Sequence, residues 1–197
     1  MTLGNAPMNF PTSVEQYIGE LFSDRQYPSP SEAFFQTVAK LARSRKFSPL
    51  RRTRLKKLLA TLQNDGLLGE VKLKFKVCRN RYAFMRDSGL VVFDVGTFYA
   101  KSGRFVACIV LHELAHLVFS QQEGYAELKR LNEEFLRSVP NVVQAVEMSP
   151  IEYYATQCSI AWMEGVLQRH EVVGLAAQVE REKDRLVSAH KVVFGNV

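Results

Sequence analysis

Five consecutive residues, His112-Glu113-Leu114-Ala115-His116, carry the densest chemistry in this chain of 197 residues. Side chains four apart share one face of a helix, so both imidazoles can reach a single metal ion, with Glu113 beside them and not a ligand. Zn²⁺ held this way lowers the pKa of a bound water and polarises a carbonyl, and a free carboxylate can take the water's proton. These are the parts needed to hydrolyse an amide. The flanks separate this reading from a chance match. Residues 105–111 and 117–119 are apolar, so the helix is apolar nearly all round, as buried helices are. Two histidines and a glutamate buried there are costly unless something pairs with them, and a metal would do so. The competing role is that of hydrogen-bonded core histidines with Glu113 at a solvent edge.

Such a helix has to be held by others. Ser-Pro pairs, which suit a helix's first turn, occur at Ser29-Pro30, Ser48-Pro49 and Ser149-Pro150. Capping-box patterns start at Thr12-x-x-Glu15 and Ser29-x-x-Glu32. The first 65 residues therefore predict three helices, the third ending at Asn64-Asp65-Gly66. After Gly69 the period changes to two: Val71, Leu73, Phe75 and Val77 alternate with Lys72, Lys74 and Lys76, a half-buried strand. Residues 81–85 and 90–93 predict two more strands around the turn Arg86-Asp87-Ser88-Gly89. From Arg104 the pattern is helical again, with a polar helix near residues 123–136, a helix opened by Ser149-Pro150 and an amphipathic one at about 172–193. The order of helices, short sheet and helices predicts an α+β fold: a basic helical segment at residues 1–68 and a domain carrying the chemistry at residues 69–197.

Composition is consistent with a globular protein: 47% apolar and 23% charged residues with 11 glycines and 7 prolines exclude collagen, coiled coil and wholesale disorder. Three cysteines without a CxxC pair point to a reducing compartment, and residues 1–16 lack a signal-peptide profile, so the expected location is the cytoplasm. The longest apolar run, residues 105–111, is short of the roughly 18–20 a membrane helix needs, so no membrane is expected as a partner.

The stretch Ile109-Val110-Leu111-His112-Glu113-Leu114-Ala115-His116-Leu117-Val118 resembles the extended signature of the zincin metallopeptidases. Positions around the motif are uncharged, an apolar residue follows it and no proline interrupts it. The resemblance implies a zincin-like domain with one zinc ion on His112 and His116 and Glu113 as general base. It also implies a protein or peptide substrate held extended along the edge strand of a small preceding sheet, here residues 71–93. The metzincin pattern needs a glycine and a histidine where this chain has Phe119 and Gln122, which excludes that branch. In gluzincins a glutamate on a later helix completes the ligands, and Glu152 in SPIEYYATQCSIAWMEGVL fits that role. Ala155, Thr156 and Ser159 would let its helix come close, and a first-turn position favours an ionised carboxylate. Ser149-x-x-Glu152 is equally a capping box, and Glu123, Glu127 and Glu147 are the other carboxylates considered. HELAH followed by E-Y-Y-A resembles the ImmA/IrrE type of intracellular metallopeptidase, although the 36 residues from His116 to Glu152 are longer than usual there and include an extra polar helix. The resemblance spans residues 71–169. HELAHL also resembles the SprT-like, DNA-associated zincins, whose third histidine has no counterpart near residues 121–125.

Residues 40–86 hold fifteen Lys or Arg against two acids, a balance of +13 that leaves −7 elsewhere given the net charge of +6. Such a block fits nucleic acid or an acidic partner, or serves as a solvated face. It supports a second reading: a non-catalytic regulatory or DNA-binding protein with a structural zinc site, closed by a fourth side chain such as Cys108 one turn before His112. Cys108 otherwise reads as a small core residue. Tyr153, Tyr154, His170 and His190 are candidates for stabilising an oxyanion, with packing and helix-end positions as their competing roles. Trp162 and Met163 read as core.

Overall fold

The computed structural model describes residues 27–78, 82–86, 89–122, 125–139 and 143–194; the helix expected at residues 14–22 lies outside them. The described chain runs α1 (Glu32–Ala42), α2 (Leu50–Asn64), β1 (Lys72–Lys76), β2 (Ala83–Arg86), β3 (Leu90–Asp94), α3 (Val95–Ala100), α4 (Gly103–Ser120), α5 (Tyr125–Ser138), α6 (Val143–Glu147), α7 (Pro150–Arg169) and α8 (Leu175–Phe194). The expected order holds, and the fold is α+β with a small three-stranded sheet. The short helices α3 and α6 are additions to the sequence reading.

The Ser-Pro pairs mark the helix starts to within two residues, without serine capping bonds at α1, α2 or α7. Pro150 opens α7 behind Ser149, but the Ser149 hydroxyl makes no capping bond. Helix α1 starts after Ser31 and not at Ser29-Pro30, and the Ser31 N–H donates to Asp65 Oδ2 at 2.9 Å. The same Asp65 ends α2 in a Schellman turn. Leu67 N–H reaches the Leu62 carbonyl at 2.9 Å and Gly66, at φ 70°, reaches that of Gln63 at 3.0 Å.

Alternation in β1 puts Lys72, Lys74 and Lys76 in solvent while Leu73 and Phe75 pack on the core. The buried strand β3 lies in the middle, parallel to β1 and antiparallel to β2, so the sheet is mixed. Tyr82 O accepts from Asp94 N–H at 2.8 Å. Antiparallel pairs alternate, so the backbone groups of Ala83 and Met85 point away from β3 and make β2 an edge. At the end of β3 the Asp94 carboxylate accepts from Thr97 N–H at 2.7 Å, capping α3, and from Cys78 N–H at 2.9 Å. Burial pushes its pKa up, but these N–H donors outweigh it and hold the group below the usual value.

The chain then enters α4, where Ser102 Oγ accepts from Phe105 N–H at 3.3 Å. A β-carbon at Gly103 would meet the carbonyl oxygens of Leu41, Ala42 and Ser44 at 2.5–2.7 Å, so glycine is what lets α4 start against the end of α1. Helix α4 is apolar enough to cross a membrane by length and composition, yet 72% of it is buried in this fold. It forms the centre of one apolar core that runs from Phe34 on α1 to Ala189 on α8 and continues across residue 68.

Arg51, one of the basic block, is fully buried. Its guanidinium donates to Ser44 Oγ at 2.9 Å and to the carbonyls of Phe98, Tyr99 and Lys101 at 2.6, 3.1 and 2.9 Å, tying α1 and α2 to the end of α3 just before α4. Its charge is answered by carbonyl dipoles. Arg51→Met should therefore strand several buried acceptors and cost about 3 kcal/mol or more in urea denaturation, with Arg51→Lys recovering only a small part for lack of the planar fork. A loss below about 1 kcal/mol would show that the network does not hold this junction.

Candidate metal centre

Two helices build the site. His112 and His116, one turn apart on α4, turn their rings toward the first turn of α7, with centroids 4.6 Å apart and planes at 83°. There the His112 and His116 Nε2 atoms lie 3.0 Å apart, and Glu152 Oε2 lies 3.2 Å from the first and 3.4 Å from the second. Ligands at the usual zinc distance of about 2.0–2.1 Å in a tetrahedron are separated by roughly 3.3–3.4 Å, so the donor triangle fits such an ion. His112, His116 and Glu152 form the one group of this kind among the described residues. His112 Nδ1 faces Thr156 Oγ1 at 3.4 Å; a proton on Nδ1, donated to that hydroxyl, would leave the Nε2 lone pair for a metal.

The capping-box role for Glu152 is excluded by its neighbours. Ser149 N–H is taken by the Val146 carbonyl at 3.0 Å, and Asn132 Oδ1 of α5 accepts from Ile151 N–H at 3.0 Å. The inserted polar helix thus satisfies α7's start and leaves the Glu152 carboxylate to the histidines.

Electrostatics follow from burial and proximity. Burial works against an ionised Glu152, but hydrogen bonds and charge from His112 and His116 outweigh it and hold the carboxyl well below its usual range. Burial lowers His112, whereas in His116 it is outweighed by Glu152 and Glu113, which raise it. Glu113 is only 7% exposed, and burial pushes it up to about 7, opposed by His116 and assisted by Glu152.

A cleft of about 230 Å³ opens beside His112 and Glu113. Tyr82 and Ala83, Phe105 and Ile109 of α4, and Glu182 with Arg185 of α8 line it. Arg185 Nη2 lies 3.3 Å from Glu182 Oε2. Tyr82, Glu182 and Arg185 were not among the residues singled out in the sequence: they come from distant segments, and no spacing rule brings them together.

The remaining candidates are elsewhere. Cys108 lines the cleft but lies outside the donor group, and its thiol is pushed up chiefly by burial and next by the charge of Glu182 on α8. Tyr153 accepts from Gln157 Nε2 at 3.1 Å, and Tyr154 packs on Phe119 with ring centroids 4.2 Å apart. His170 pairs with Glu32 at 3.3 Å, and His190 lies outside the donor group. Glu127 pairs with Arg130, Glu147 stands apart from the histidines, and Glu123 lies outside the described residues. Trp162 and Met163 are buried, with Trp162 Nε1–H donating to the Pro28 carbonyl at 2.8 Å.

No protein-family model, no curated protein and no solved structure matches this chain.

Glu152→Gln removes the anionic oxygen and keeps the shape. It should cut zinc content, read by inductively coupled plasma spectrometry after dialysis, to a small fraction of one equivalent while the apo-protein's melting temperature moves by no more than a few degrees. Full zinc occupancy at unchanged affinity would remove Glu152 from the ligand set.

Proposed function

We propose that the chain is a zinc-dependent peptidase of the gluzincin type, resembling the ImmA/IrrE metallopeptidases, with His112, His116 and Glu152 as metal ligands and Glu113 as general base. The observation that carries this reading is the triangle of two imidazole nitrogens and a carboxylate oxygen 3.0–3.4 Å on a side, with a second acid, the buried Glu113, next to His112 in sequence and an open cleft alongside.

Zinc at that triangle would supply Lewis acidity toward the scissile carbonyl and toward water. The rest falls to the protein. Glu113 takes the water's proton on its carboxylate and returns it to the leaving amine. Burial raises its carboxyl to about 7, and a cation at the triangle would favour the ionised form that acts as the base. The outward backbone groups of Ala83 and Met85 on β2 offer a sheet edge for an extended peptide running beside His112 and Glu113. Tyr82 and Arg185, both in the cleft lining, carry the donors able to hold a developing oxyanion. Thr156 keeps the His112 ring in orientation.

The scaffold reading, with zinc closed by four protein ligands, needs a fourth donor; the described donor group has three members, and Cys108 is not among them. Glu113→Gln decides catalysis. With zinc still bound, turnover of a peptide library followed by mass spectrometry should fall by about 10²–10⁴ relative to the parent protein. Undiminished cleavage by the variant would contradict the assignment.

A further inference from the structure

The corner between α1 and α2 carries Lys40, Arg43, Arg45, Lys46 and Arg54 around two adjoining hollows of about 490 and 580 Å³. The larger runs on past Arg104 to Glu171, the one acid among its described lining residues. Several surface cations lie against carboxylates: Arg130 between Glu127 and Glu134, Lys183 between Glu164 and Glu180, and Arg169 on Glu32. Among the described residues no carboxylate pairs with Lys40, Arg45, Lys46 or Arg54. The exposed lysines of β1 stand along a strand, whereas these cations are gathered around hollows, and a face that serves only solvation has no need of that concavity.

Phe47 follows Lys46 directly. It is 71% exposed, and its φ of 57° is a left-handed conformation that opposes any residue with a β-carbon and a ring above most. The surroundings enforce it. Phe47 N–H donates to the Tyr99 carbonyl at 2.8 Å, and the buried Arg51 holds that same carbonyl at 3.1 Å. The fold thus spends a strained residue to keep an aromatic ring in water between Lys46 and Ser48, two residues that line the smaller hollow, and strain of this kind gathers at functional positions.

We propose that this corner binds single-stranded nucleic acid, its cations taking phosphates and the Phe47 ring stacking on a base. The pairing of flat ring and cation array matches a ligand that alternates bases with phosphates, and only an unpaired strand offers its base faces. The concave hollows suit a narrow polyanion better than a flat bilayer. The proposal is independent of the metal centre.

The test is fluorescence anisotropy on the full chain with a labelled oligothymidylate 20-mer, a duplex of equal length, and vesicles of mixed neutral and anionic phospholipid. Four phosphate contacts predict a roughly 50-fold loss of affinity for the single strand between 50 and 200 mM salt. Arg45→Gln with Lys46→Gln should about halve the slope of log affinity against log salt. Phe47→Ala should weaken binding about 5- to 100-fold with the slope unchanged, and Phe47→Tyr should restore it. Phe47→Gly should weaken binding equally while raising the melting temperature by about 2–4 °C, because it relieves the left-handed backbone; this variant shows that a loss is not unfolding. No binding of the single strand at 50 mM salt, duplex binding as tight with Phe47→Ala silent, or binding to vesicles alone would each overturn the proposal.

Discussion

Where the first turn of α7 meets the middle of α4, two imidazole nitrogens and a carboxylate oxygen approach within 3.0–3.4 Å of one another. Groups like these desolvate one another in an apolar interior, and they stay there only if the packing around them is unforgiving and a positive charge answers the carboxylate. The packing is visible on both helices. Helix α7 brings Ala155, Thr156 and Ser159 to the interior, and α4 buries Leu114, Ala115 and Leu117, so the two can pack closely. The charge is what the proposed zinc would provide. Without it, one proton shared among His112, His116 and Glu152 has to serve.

That crossing is positioned from two directions. At one end, Asn132 of α5 and the Val146 carbonyl occupy the N–H groups at the start of α7, which leaves Glu152 without a capping duty. At the other, Arg51 gathers the carbonyls that end α3 and Gly103 allows α4 to begin against α1, so the register of α4, and with it the height of His112 beside β2, is fixed by contacts far from the site. The basic corner draws on the same arginine. A single buried guanidinium holds both the elbow that leads into α4 and the carbonyl that fixes Phe47.

The parts of this arrangement legible in the sequence are those written in short spacings. The i, i+4 histidines, the period-two lysines of β1 and the glycine stop of α2 each express one element's own geometry, and each stands where its pattern put it. Glu152 was legible as a candidate but not separable from a capping residue, because the deciding donors belong to Asn132 and Val146, which no local pattern links to it. Arg51 sat in a run of surface cations and gave no sign of burial; only the convergence of three carbonyls from the end of α3 makes its place in the interior tolerable. Tyr82 and Arg185, about a hundred residues apart in the chain, meet at the cleft through tertiary packing alone. Serine was over-read as a cap: at α1, Asp65 from the end of α2 supplies the acceptor.

The proposed chemistry requires a zinc ion held by three protein side chains with one position left for water. X-ray absorption spectroscopy of the zinc-loaded full chain tests it most directly, since nitrogen and oxygen ligands lie at about 2.0–2.1 Å and sulfur at about 2.3 Å. Four light-atom neighbours are expected, two of them with the multiple-scattering signature of imidazole, in a shell that changes when a hydroxamate is added. A sulfur at about 2.3 Å, placing Cys108 on the metal, or a shell that no added ligand alters, would contradict it.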